Sequence, residues 1–149
     1  MGSVGLTAAA IISFIEELED TSSAFYAALA ERWPKHQETF LMFARDGEKN
    51  KTQVVRTYQE TISDAYEATF SFEGLDLGDY EVETTLDEDA SLAESLKMAL
   101  VLEETACAFY LDVAKRAESL LATIPRAFRR VEKKRSKRKL KMETLLEEA

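Results

Sequence analysis

The nine residues Leu18-Glu19-Asp20-Thr21-Ser22-Ser23-Ala24-Phe25-Tyr26 return as Leu102-Glu103-Glu104-Thr105-Ala106-Cys107-Ala108-Phe109-Tyr110, 84 positions later. At the same offset, Glu48-Lys49-Asn50-Lys51 returns as Glu132-Lys133-Lys134-Arg135. Two matches in one register imply a chain made of two units of common pattern. Five glycines and two prolines in 149 residues are too few for a turn-rich β-sandwich, so the units are expected to be helical.

Periodicity agrees. Ile11, Ile15, Leu18, Ser22, Phe25 and Leu29 step by four and three in alternation, as the seam of a helical bundle does. Ile12, Glu19, Tyr26 and Trp33 form a second row on the same side. In the second segment the corresponding seam reads Leu41, Ala44, Glu48, Lys51, Val55, Tyr58 and Ile62. Pro34, the acidic run Asp87-Glu88-Asp89 and Pro125 punctuate the chain. They predict four helices, at about 7–33, 35–68, 87–121 and 125–147. The fold class is therefore all-α: one domain, a four-helix bundle of two hairpins joined by a long acidic connection.

Glu19, Glu48, Glu103 and Glu132 fall one per helix, at equivalent depths, on rows that are otherwise apolar. Burying a lone charge costs several kcal/mol, roughly, so such residues require partners or a metal. Tyr26 and Tyr110 lie two turns beyond Glu19 and Glu103, placed to donate hydrogen bonds to a carboxylate on a neighbouring helix.

These residues resemble the ferritin-like superfamily, and within it the rubrerythrin-type di-iron domain, over about residues 11–142. In that family helices one and three each give a Glu, and helices two and four each give a Glu-x-x-His pair. The resemblance implies Glu19, Glu48, Glu103 and Glu132 as metal ligands, and the spacing places Tyr26 and Tyr110 beside them. It implies a di-iron oxidoreductase: a peroxidase, or a ferroxidase that oxidises ferrous iron.

The sequence departs from that family where the histidines stand, because those positions hold Lys51 and Arg135. Protonated lysine and arginine carry donors but no lone pair for a metal. The single histidine, His36, is twelve residues before Glu48, roughly 18 Å along a helix. One cysteine rules out a four-cysteine rubredoxin-like iron module within the chain, and it fits a reducing compartment. The reading that follows is an altered carboxylate site, not a competent di-iron enzyme, in which Lys51 and Arg135 replace metal charge by salt bridges. The expected cofactor is none, or one weakly bound metal; iron or manganese belongs to the alternative of a metal-dependent oxidoreductase acting on peroxide, oxygen or ferrous iron.

Net charge is −9, but it is unevenly spread. Residues 126–141 hold ten basic side chains and one acid, whereas 69–96 hold nine acids and no base. A further alternative is thus an anionic-partner module presenting Lys137, Arg138 and Lys139 on helix four. Compensation by the acidic connection, in this chain or in a second copy, is the simpler expectation. A homodimer or an acidic protein is the expected partner. Nucleic acid is not, since only Phe128 interleaves the basic run. Val4 to Ile15 is too short to span a bilayer and has no preceding basic residue, so a cytoplasmic protein without a membrane span is expected.

Overall fold

The computed structural model describes residues 6–61, 71–72, 75–116 and 123–149. Four long helices dominate it: α1 (Ala8–Arg32), α2 (Gln37–Thr61), α3 (Leu92–Arg116) and α4 (Thr123–Glu148). Strand β1 (Leu6–Thr7) pairs antiparallel with β2 (Ser71–Phe72), and among the described residues the other regular elements are helical. Helix α1 packs on α2 and α3 on α4, and the hairpins meet chiefly through α2 against α4. Among the described residues, no helix is long and apolar enough to cross a membrane.

The breaks follow local chemistry. Pro34 opens a 3-10 turn, Pro34–His36, which delays α2 until Gln37 instead of residue 35. Helix α3 begins at Leu92 rather than at the acidic run near residue 87. Ser91 explains the shift: its Oγ accepts from the Glu94 amide at 3.0 Å, and Glu94 Oε1 accepts from the Ser91 amide at 3.2 Å. This reciprocal cap satisfies two end donors, which the acids alone leave open. The expected helical stretches at 62–68 and 117–121 lie outside the described residues.

The α1 seam is buried as its spacing predicts, including Ile11, Ile15, Ser22, Phe25 and Leu29. The α2 seam is rotated by one residue from the sequence reading. Phe40, Phe43, Gly47, Asn50 and Val54 face the interior, while Leu41 and Glu48 are exposed. Both stripes have helical spacing, but one buries two phenylalanines and an amide, and the other a glutamate and a lysine. Desolvating two ions costs several kcal/mol each, roughly, so the aromatic stripe wins. Gly47 also permits a close approach of α1: a Cβ there would lie 2.0 Å from Ser23 Oγ and 3.1 Å from the Glu19 carbonyl oxygen.

Residues 75–91 of the connection between the hairpins cover the α1/α3 side. Tyr80 packs edge-on against Phe109 and donates its hydroxyl to Asp112, and Leu77 and Val82 join the core. Arg32 fixes the end of this strap through a 2.6 Å hydrogen bond to the Asp87 carbonyl.

Candidate functional site

Two carboxylates meet at the centre of the bundle, Glu19 from α1 and Glu103 from α3, both fully buried. Arg135 of α4 lies between them and is equally buried. Its Nη1 donates to both oxygens of Glu103, at 2.8 and 2.9 Å. Its Nε donates to Glu19 Oε2 at 3.1 Å, and Nη2 stands 3.0 Å from the same oxygen. A planar guanidinium offers donors along two edges, which suits a position bridging two carboxylates.

The tyrosines complete the arrangement by exchange. Tyr26 of α1 donates to Glu103 Oε2 at 2.6 Å, and Tyr110 of α3 donates to Glu19 Oε2 at 2.6 Å. Burial pushes both phenols well above their ordinary pKa, and the facing carboxylate adds to the effect in each case. Both therefore remain neutral donors. Asn50 of α2 adds a 3.3 Å bond from Nδ2 to Glu19 Oε1. For Arg135, desolvation opposes its charge, but Glu103 and Glu19 outweigh that and raise its pKa.

A second guanidinium lies beside this cluster. Arg138 is 2 % exposed, with Nη1 3.6 Å from Glu103 and Nη2 3.9 Å from Asp46. It sits over the rings of Phe43, at 4.9 Å, and Tyr26, at 5.4 Å. Among the described residues its Nη atoms have ion-pair partners but no hydrogen-bond partner. Ring faces thus replace part of its hydration. Two carboxylates and two guanidiniums make the buried centre electrically balanced.

The four glutamates proposed from sequence do not converge. Glu48 is 73 % exposed and pairs with Lys51 at 3.0 Å. Lys51 also binds Asp20 at 2.9 Å, and these two acids raise its pKa, the Asp20 hydrogen bond first. That is a surface triad, one helical face away from the centre. Glu132 is half-buried and accepts a 3.0 Å bond from Ser136. Both are displaced for the same reason: the inward stripes of α2 and α4 run through Asn50 and Arg135.

The basic surface also changes. Arg138, expected on the outside with Lys137 and Lys139, is inside. Lys137 is exposed, and Lys139 pairs with Glu104 at 3.6 Å. Sequence reasoning missed Asn50 and the burial of Arg138. Each had a signal: Asn50 lies on the Phe40–Phe43–Val54 stripe, and Arg138 on the Phe128–Val131–Met142 stripe.

These residues do not fit a di-iron pair. The guanidinium of Arg135 occupies the space between Glu19 and Glu103 and uses their inward oxygens, and neither Glu48 nor Glu132 reaches it. Among the described residues, no group of three or more His, Cys, Asp or Glu side chains is placed to hold a metal ion. Cys107 adds no ligand of consequence: its thiol contacts the Glu132 carbonyl and Ser136 at 3.8 Å, and burial raises its pKa. No protein-family model, curated protein or solved structure matches the chain.

Proposed function

We propose that this chain is a non-catalytic member of the ferritin-like, rubrerythrin-type bundles, a binding or scaffolding protein whose central carboxylates are held by arginine instead of metal. The observation that carries this reading is Arg135, which hydrogen-bonds Glu19 and Glu103 together. The exchanged tyrosine bonds, between residues repeated 84 positions apart, support descent from a two-hairpin ancestor of that pattern. In this reading Arg135 and Arg138 supply the positive charge that metals give the resembled family, and Lys51 serves only the surface triad.

The alternative of a metal-dependent oxidoreductase requires Arg135 to leave the centre and Glu48 and Glu132 to enter it. Each of those moves strands a charge: Arg135 would lose two buried carboxylates, and Glu48 would lose water and Lys51.

Metal analysis after titration with ferrous iron or manganese tests the reading, on the wild type and on the Lys51→His/Arg135→His variant. Neither protein is expected to retain a tight metal pair, the wild type because of Arg135 and the variant because Glu48 and Glu132 lie off-centre. Two tightly bound ions per wild-type chain would overturn the metal-free reading. Two in the variant alone would show that arginine is the only barrier and that the glutamates can still assemble.

A further inference from the structure

Exposed charge is divided between opposite sides of the bundle. The strap at 75–91 carries seven acids and no base and runs over the α1/α3 side. Within it Glu81, Glu83, Thr85 and Asp87 are exposed, while Val82, Thr84 and Leu86 between them are half-buried. That alternation is the period of an extended chain, so successive outward positions are about 6.6 Å apart.

The α2/α4 side is basic. Arg130, Lys134, Lys137 and Lys141 are exposed and step by four, three and four along one stripe of α4. Their spacing along the axis is therefore about 4.5–6 Å. Arg130 shares a groove with Lys49 and Arg56 of α2, which widens the stripe into a face; the acid in that groove, Glu48, is paired with Lys51. Among the described residues, no acid of 75–91 pairs with this face, and the four stripe cations have no ion-pair partner. The strap is committed to α1 and α3 through Tyr80 and Asp87, so of the two compensations expected from sequence, within one chain or by a second copy, the fold does not provide the first.

We propose that the acidic strap of one copy docks on the basic α2/α4 face of another copy. The two rows are opposite in sign, and the strap's outward positions, Glu81, Glu83 and Asp87 among them, recur at about 6.6 Å against about 4.5–6 Å for the cations. A second copy also suits the stripe better than nucleic acid does: no aromatic side chain stands on it for a base to stack on, and the chain as a whole is anionic. Because the two patches lie on opposite sides of each copy, they cannot both meet across one two-fold axis, and the contact is heterologous. It propagates into chains or closes into rings, unlike the two-fold dimer that one shared patch would form. Both patches lie outside the central cluster, so this association is independent of whether that cluster binds metal.

Sedimentation velocity tests it with the whole protein, at about 20 mM and at about 500 mM salt, where screening lengths differ several-fold. The wild type is expected to grow beyond a dimer with concentration at low salt and to sediment as a monomer at high salt. Lys134→Glu/Lys137→Glu/Lys141→Glu is expected to stay monomeric, as is Glu81→Lys/Glu83→Lys/Asp87→Lys. An equimolar mixture of the two reversed proteins is expected to associate again, since each now carries the complement of the other. Circular dichroism on the same samples monitors folding. Should a triple variant lose helix, Lys137→Gln and Glu83→Gln replace it, each expected to weaken association severalfold. A monomeric wild type at low salt overturns the proposal, as does a mixture that stays monomeric. Binding of a single-stranded oligonucleotide by that monomer, lost in the α4 variant, would instead assign the face to nucleic acid.

Discussion

Lys51 and Arg135 occupy equivalent positions in the repeated pattern, yet one serves the surface and the other the core. Lys51 retains 21 % exposure and joins Asp20 and Glu48, both open to solvent. Arg135 has none, and neither have Glu19 and Glu103. Similar charges in similar sequence contexts therefore have different energetic weights. An exposed pair gains little because water and salt screen it, whereas a buried pair is held by the cost of leaving either partner alone. The cause is a rotation of one residue in α2, which turns Asn50 inward and Lys51 outward.

The largest expected effect separates these two cations. Arg135→Met leaves two facing carboxylates without their bridge and should cost about 3–5 kcal/mol in urea unfolding. Lys51→Met should cost no more than about 1 kcal/mol by the same measurement. Equal losses would break the contrast. Adding Glu19→Gln and Glu103→Gln to Arg135→Met sharpens it further. That triple variant should be more stable than Arg135→Met alone, because the stranded charges are removed with their partner.

Tyr26→Phe and Tyr110→Phe probe symmetry inside the core. Each removes a hydrogen bond to an ionised carboxylate and should cost about 1.5–3 kcal/mol. Similar values are expected, since the two bonds have the same length; markedly unequal values would show that one half of the cluster dominates.

The effect smallest at neutral pH is alkaline destabilisation. Folding raises both phenols, so the unfolded chain releases these protons first. Stability from this source is complete below the unfolded tyrosine value, about pH 10, and declines as pH rises above it. Absorbance of tyrosinate, followed together with helix content, should show at least two of the five tyrosines ionising only as helix is lost.

The helical class was legible because punctuation and 3.6-residue periodicity are local properties. So was a tyrosine bond to a carboxylate on a neighbouring helix, since Tyr26 and Tyr110 share a face with Glu19 and Glu103; the exchange of partners, Tyr26 with Glu103 and Tyr110 with Glu19, was decided by the fold. The α2 face was not legible in the same way. Leu41–Ala44–Glu48–Lys51 and Phe40–Phe43–Gly47–Asn50 obey the same period, and only what lies opposite chooses between them.

The sequence by itself determined four helices, their antiparallel hairpins, the basic run of the fourth helix and the presence of charged residues on apolar rows. Tertiary structure decided which of those charges are buried. Helix rotation is set by neighbours: Gly47 against Ser23 and the Glu19 backbone, and aromatic rings around Arg138. A turn of one residue, about 100°, puts Gly47 and Asn50 inside in place of Glu48 and Lys51. It does so with no change in composition, which is why, of four glutamates at equivalent positions of the repeated pattern, two are buried against arginine and two are not.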